Sequence, residues 1–126
     1  MKHIPVATEI DLPGVEVWPF IAEFRHWPSW GPSIRRVETD AVRVATGVTG
    51  RVQTLVGVWL PFVITHCRPE ELWHWRVAGV PATRHFIASA GKSHSRVEFS
   101  VTWPLAPYAL VLELALRRLK TLAEKT

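Results

Sequence analysis

Four histidines and one cysteine are the side chains in this sequence best suited to metal binding. They are His66, Cys67, His74, His85 and His94. A metal site requires ligands that converge on one point, as when two histidines lie four residues apart on a helix. These residues lack such a spacing, so the sequence predicts no metal site, and we expect no cofactor.

The serines and carboxylates also form no recognisable catalytic group. The pair Glu70-Glu71 lies in a predicted turn, where solvated charge is the ordinary explanation. No glycine-rich loop precedes a helix to hold a phosphate. No base can be assigned to the serines, which lie in predicted turns or at outward positions: Ser29, Ser89, Ser93, Ser95 and Ser100. Binding is therefore a better prediction than catalysis.

Composition and charge narrow the class of protein. The 126 residues are 48% hydrophobic and 21% charged, as in a globular chain, and predict a single domain over residues 1–126. The net charge is +4, but the basic residues are scattered, so we expect no nucleic-acid partner. The longest apolar stretch, Val56–Ile64, is shorter than the roughly 20 residues that span a membrane. A single cysteine and an amino terminus without a long apolar run predict a cytoplasmic protein.

Short segments of β-branched and aromatic residues, separated by turn residues, predict seven strands. The turns at residues 68–71, 79–82 and 90–93 are short enough to join antiparallel neighbours as hairpins. The predicted strands are Val6–Leu12, Ile34–Thr39, Gly50–Val56, Trp59–His66, Leu72–Val77, Arg84–Ser89 and Arg96–Trp103.

Helical periodicity appears near both ends of the chain. A first helix is predicted after the turn at residues 12–14, and a short helical or turn element follows at residues 27–32. A long last helix is predicted from Pro107 to about Lys125, because its apolar residues recur on one face. At about 1.5 Å per residue this helix is long enough to cross a whole sheet.

A series of short motifs runs through the chain in a fixed order. A Leu-Pro turn at residues 12–13 precedes Val17-Trp18, and a Trp-Pro-x-Trp segment follows at residues 27–30. An apolar strand then precedes Pro69, the Trp-His-Trp segment at residues 73–75 and the pair His85-Phe86. In these motifs the chain resembles the START and polyketide-cyclase superfamily (SRPBCC).

This resemblance implies an α+β helix-grip fold. In that fold a seven-stranded curved antiparallel sheet wraps around a long C-terminal helix, in the order β-α-α-β6-α, which is also the order of the predicted elements. The chain departs from the resemblance in two places. Pro19 lies inside the first helix, and Gly91-Lys92-Ser93 replaces the usual Gly-Gly-Thr turn before the last strand.

The predicted hairpins decide which side chains face the helix. A turn at residues 91–92 places Phe86 opposite Val97, and a hairpin centred between residues 80 and 81 places Trp75 opposite Phe86. Arg84 is then the polar group that points inward, unless a one-residue bulge exchanges it for His85. The predicted outer face holds Arg76, His85 and Glu98. The predicted inner face holds Trp73, Trp75, Val77, Phe86, Val97, Phe99, Val101 and Trp103.

This inner face suits a pocket for a flat or acyl ligand, although ordinary core packing is the alternative interpretation. Leucines of the last helix would close the pocket from the other side. The predicted ligand-binding residues are Trp30, Trp59, Trp75, Arg84, His85, Phe86, Phe99, Trp103, Leu112 and Leu116.

We therefore expect the protein to bind a small hydrophobic or aromatic metabolite of lipid, polyketide or isoprenoid type. One alternative, implied by the resemblance, is an enzyme similar to polyketide cyclases or dehydratases, in which Arg84 or His85 polarises a carbonyl or transfers a proton. A second alternative is an interaction module without a ligand. The predicted strand Trp59–His66 is apolar on both faces, so its outward face could form a homodimer.

Overall fold

A computed structural model describes residues 3–102 and 108–125 of the chain. Two α-helices with a 3-10 turn between them follow the first strand, six strands come next, and a long helix follows the last strand, which confirms the predicted order. The elements are β1 (His3–Ile10), α1 (Gly14–Ala22), a 3-10 turn (Phe24–His26), α2 (Trp27–Trp30), β2 (Ile34–Glu38), β3 (Thr49–Thr54), β4 (Trp59–Arg68), β5 (Leu72–Val77), β6 (Val80–Ser89), β7 (Ser95–Thr102) and α3 (Ala109–Lys125).

The seven strands form one antiparallel sheet. Their order is β1-β7-β6-β5-β4-β3-β2, so every strand from β2 to β7 pairs with its neighbour in the chain. The exception is β1, which pairs with β7, with Val6 opposite Phe99. Hairpin connections of this kind are the expected result of short turns between consecutive strands.

Helix α3 packs against the sheet through one apolar face. Its buried residues recur at helical spacing, and the polar residues lie on the other side. The Lys120 ammonium donates to the Glu9 carbonyl oxygen at 2.7 Å, which ties the helix to β1. The predicted helix start at Pro107 lies outside the described residues. Buried residues of α3 are Leu112, Ala115, Leu116, Leu119 and Ala123.

None of the helices within the described ranges combines the length and the apolar character needed to cross a bilayer.

Proline is accommodated inside α1, as the sequence required. Pro19 is the sixth residue of this nine-residue helix, which ends three residues later at Ala22. Its missing N–H removes one hydrogen bond of the helix. The Pro19 carbonyl accepts from the Glu23 N–H at 3.0 Å, where the backbone leaves the helix. The helix buries Val17, Trp18 and Ile21, so tertiary packing offsets the lost bond.

The register predicted between β5 and β6 is wrong. The hairpin turns at Ala78 and Gly79, whose φ values of 52° and 78° suit a two-residue turn, so the hairpin centre lies two residues earlier than predicted. A bulge then adds one residue to β6, because His74 and Arg76 are two positions apart on β5 whereas their partners Arg84 and Pro81 are three apart. The bulge reverses which face of β6 is inward and places His85 opposite Trp73.

The register predicted between β6 and β7 is wrong by one residue. Ser89 pairs with Ser95, so the loop has five residues and is centred on Lys92. His85 consequently lies opposite Phe99, and Phe86 lies opposite Glu98. The predicted faces of β6 are therefore exchanged: His85 is buried, and Arg84 is exposed.

Candidate ligand site between the sheet and the last helix

Aromatic side chains fill most of the space under the sheet. Trp27 is fully buried and stacks on Trp73, with ring centroids 4.9 Å apart and ring planes at 5°. The edge of the Trp75 ring meets Trp27 at 5.1 Å, and Phe62 lies 5.8 Å from Trp27. The Trp27 indole N–H donates to the Ile21 carbonyl at 2.9 Å, which fixes the ring. In the deepest part of the space under the sheet, these aromatic residues therefore form ordinary core packing.

A small cavity remains beside this cluster, and we call it the inner chamber. Its volume is about 30 Å³. Residues of α2, the following loop, β5, β6, β7 and α3 surround it: Trp27, Trp30, Gly31, Pro32, Ser33, Ile34, Trp73, Trp75, Thr83, His85, Phe99, Tyr108, Val111, Leu112 and Ala115.

A larger apolar cavity adjoins the chamber, and we call it the outer groove. Its volume is about 390 Å³. The two spaces are adjacent, because five residues line both of them: Ser33, Ile34, Trp75, Thr83 and Tyr108. The remaining groove residues come mainly from β3 to β6: Val52, Thr54, Leu60, Val77, Val80, Pro81, Ala82 and Val101.

A hydrogen bond spans the boundary between the two cavities. The Ser33 and Tyr108 hydroxyl oxygens are 2.5 Å apart, and either can be the donor. Ser33 precedes β2 and Tyr108 precedes α3, so the bond joins the loop before β2 to the residue before α3. Together with Thr83, these hydroxyls are polar groups on the boundary that the two cavities share.

His85 is the only titratable side chain that is buried among the described residues. Its ring stacks on Trp73 with centroids 3.7 Å apart and meets the Phe99 ring edge-on at 4.7 Å. Burial lowers the pKa of His85 to about 3, although its hydrogen bond to the Trp73 carbonyl opposes that shift and His74 adds slightly to it. The imidazole is therefore neutral at physiological pH.

The hydrogen bond of His85 determines which ring nitrogen carries the proton. Nδ1 lies 3.3 Å from the Trp73 carbonyl oxygen, which can only accept, so Nδ1 carries the proton. Nε2 then presents a lone pair, and it has no hydrogen-bond partner within residues 3–102 and 108–125. The indole nitrogens of Trp73 and Trp75 are buried and also lack partners there.

The structure brings five of the predicted site residues together around the inner chamber. They are Trp30, Trp75, His85, Phe99 and Leu112. Trp30 is held there because its indole N–H donates to the Phe20 carbonyl at 2.7 Å and its ring lies 5.4 Å from Phe99. Their proximity follows from the packing of α2 against α3.

The other predicted site residues lie elsewhere. Trp59 lies under the Arg51 guanidinium, 4.4 Å from the ring centroid, and lines a surface depression rather than either cavity. Phe86 contacts His74 at 5.3 Å on the outer face, and exposed Arg84 pairs with Ser100. Leu116 is buried on α3 but lines neither the chamber nor the groove. Trp103 lies outside the described residues.

Sequence reasoning missed three polar side chains of the site. Thr83 lies two residues before His85 on β6, so the correct register would have placed it on the inner face. Ser33 and Tyr108 come from the loop before β2 and the start of α3, and their meeting depends on the tertiary arrangement. Tyr108 is the only tyrosine in the chain, which is the one sequence signal that could have singled it out.

Two further features do not belong to the site. The surface depression of about 500 Å³ near Trp59 is lined by charged residues such as Arg35, Arg36 and Glu38, and it shares no lining residue with the groove or the chamber. Within the described part of the chain, no three histidine, cysteine, aspartate or glutamate residues lie close enough together to hold a metal ion.

A family described as "Polyketide cyclase / dehydrase and lipid transport" matches residues 1–124 of the chain. Solved structures are similar across nearly the whole fold. A START superfamily protein from Mycobacterium smegmatis is 12% identical with a TM-score of 0.78, covering 98% of this chain and 97% of its own. An uncharacterized protein from Bacillus thuringiensis is 17% identical with a TM-score of 0.73, covering 97% and 98% respectively.

A third similar structure comes from a biosynthetic locus. DynU16, from the dynemicin biosynthetic locus, is 19% identical with a TM-score of 0.69, and the match covers 98% of this chain but 48% of that one. Identities this low show the shared fold alone. No curated protein matches the sequence.

Proposed function

Because the chain belongs to the polyketide cyclase, dehydrase and lipid-transport family, we propose that it binds a small hydrophobic or aromatic metabolite in the outer groove. The observation that carries this proposal is the apolar groove of about 390 Å³ that adjoins the inner chamber. Small-molecule sites commonly have volumes of about 300–1,000 Å³ and few polar groups. A lipid, polyketide or isoprenoid is the class of ligand that such walls favour.

The aromatic rings packed under the sheet limit where the ligand can lie. The stacked rings of Trp27 and Trp73 occupy the space deepest under α3, and the chamber beside them holds about 30 Å³. The body of a ligand therefore lies in the groove, between β3–β6 and the start of α3. Tyr108 and Trp75 border both spaces and would contact the ligand where the groove narrows.

Blocking the groove tests this proposal. Ala82 is half-buried in the groove wall, so an Ala82→Trp substitution places an indole in the space that the ligand would occupy. We expect binding to weaken at least about tenfold, since the loss of well-packed apolar contacts typically costs more than 1.4 kcal/mol. The measurement is calorimetry, with native mass spectrometry, against fatty acids, isoprenoids and aromatic polyketides.

An Ala88→Trp variant is the matched control. Ala88 is exposed on the same strand and lines neither cavity, so its replacement should leave affinity unchanged. If no compound of the panel binds the unaltered protein, or if both variants bind as the unaltered protein does, the groove is not the binding site.

A cyclase or dehydratase activity is the second candidate function, and His85 is the observation that favours it. The low pKa makes His85 a weak base, but its neutral imidazole can accept a hydrogen bond at Nε2 and so orient a substrate hydroxyl or enol in the adjoining cavity. On this proposal His85→Ala lowers turnover of a poly-β-ketone substrate by roughly 10²-fold or more, while Arg84→Ala, on the outer face, leaves it unchanged. Equal turnover in both variants and the unaltered protein would exclude His85 from catalysis.

Two other expectations remain proposals. A homodimer formed through β4 stays a prediction that sedimentation can test, and in the structure β4 is an internal strand, paired with β3 and β5. The cytoplasmic location also stays a proposal, supported by the free thiol of Cys67, the one cysteine of the chain.

A further inference from the structure

The size of the inner chamber restricts what it can hold. The chamber volume of about 30 Å³ is less than a tenth of the groove volume of about 390 Å³. The body of a ligand therefore fits the groove rather than the chamber. A ligand that lies in the outer groove can extend a small substituent past Trp75 and Thr83 into the chamber.

The chamber wall offers both an acceptor and a donor without partners. The acceptor is His85 Nε2, because Nδ1 donates to the Trp73 carbonyl. The donor is the indole N–H of Trp75, which is buried without an acceptor, and Trp75 also borders the groove. The centroids of the His85 and Trp75 rings lie 6.3 Å apart and both side chains line the chamber, so one small group in the chamber has both as neighbours.

A hydroxyl group is the small substituent that matches both groups. Its O–H can donate to Nε2 while its oxygen accepts from an indole N–H. A carbonyl would leave Nε2 unpaired, an ammonium would leave the indole unpaired, and a methyl group would leave both unpaired. A carboxylate would bring a charge next to a neutral ring in an apolar setting, which is strongly unfavourable.

We propose that the inner chamber binds one hydroxyl group of an otherwise apolar ligand, between His85 Nε2 and the Trp75 indole N–H. The inference rests on the proposed binding function and narrows its ligand class to phenols and alcohols. The low pKa of His85 supports it, because the lone pair of Nε2 stays available across the physiological pH range. His85 and Trp75 act here as specificity-determining residues.

The experiment compares ligands that differ in one substituent. We expect 2-naphthol to bind the unaltered protein about 10- to 100-fold more tightly than 2-methylnaphthalene, since a site built for a hydroxyl rejects analogues that lack it. In His85→Phe, which keeps a flat ring for stacking on Trp73, the two compounds should bind with similar affinity. His74→Phe, altered on the outer face, should keep the preference.

Nuclear magnetic resonance gives a second readout that does not require a variant. The indole N–H signal of Trp75 should shift downfield with 2-naphthol and much less with 2-methylnaphthalene. Equal affinities for the two compounds would overturn this inference and leave the groove proposal standing. Failure of both compounds to bind would overturn the groove proposal and this inference with it, and a preference that survives His85→Phe would exclude His85 as the acceptor.

Discussion

Replacing Trp27 with alanine is expected to lower the free energy of unfolding by about 3–5 kcal/mol. Trp27 is fully buried, stacks on Trp73 and meets the rings of Phe24 and Trp75 edge-on. Its removal leaves a large cavity among rings that other elements hold in place, and the Ile21 carbonyl loses its donor. Chemical denaturation of the variant and the unaltered protein measures the difference.

Trp59→Ala is the matched control for this prediction. Trp59 is half-buried on the other side of the sheet, where its main described partner is the Arg51 guanidinium. A cation–π contact at such a site contributes about 0.5–1 kcal/mol, so the loss should be clearly smaller than for Trp27. Equal losses in the two variants would contradict the view that the Trp27 cluster is the centre of the core.

The second large effect concerns the dependence of stability on pH. The pKa of His85 is about 3 in the folded protein, chiefly because of burial, whereas an unfolded histidine has a pKa of about 6.5. Between these values the unfolded chain binds one more proton than the folded chain, so acidification favours unfolding. Stability that is fully present above about pH 6.5 is lost at about 1.4 kcal/mol per pH unit down to about pH 3.

A variant without the imidazole isolates this contribution. Between pH 7 and pH 5 the unaltered protein should lose about 2 kcal/mol more of its unfolding free energy than His85→Phe does. The pKa values of three other histidines are also lowered: His3, His26 and His74. Their contributions are common to both proteins and cancel in the comparison. Denaturant titrations at the two pH values measure this difference.

His74→Phe provides a comparison within the same sheet. Burial also lowers the pKa of His74, but this ring is only half-buried on the outer face, so its removal should change the pH dependence less. Identical pH dependence in His85→Phe and the unaltered protein would show that the imidazole of His85 is already charged, or exposed, in the folded state.

Much of the fold was predictable because it depends on local patterns. Alternation on β5 correctly placed Trp73 and Trp75 on the buried face, since residues two apart in a strand point the same way. The apolar face of α3, including Leu112 and Leu119, follows equally from helical spacing. Both patterns involve residues close in the chain, where geometry is fixed by the backbone alone.

The faces of β6 were not predictable in the same way. Their assignment depends on the turn at Ala78-Gly79 and on the bulge in β6. Ala78 has a positive φ, which residues other than glycine, asparagine and aspartate rarely adopt. An alanine at this position therefore does not predict the turn. The bulge has no residue-type signature either, and together with the five-residue loop between β6 and β7 it places His85, not Arg84, inward.

The pairing of β1 with β7 has a consequence for how the chain acquires its structure. Val6 meets Phe99, 93 residues later, while the other strand pairs join neighbours in the chain. During synthesis β1 is therefore made long before its partner, and its apolar side chains stay uncovered until β7 has been made. Contacts so distant in sequence are slow to form, so we expect docking of this strand to be the late step that completes the sheet and seats the last helix against it.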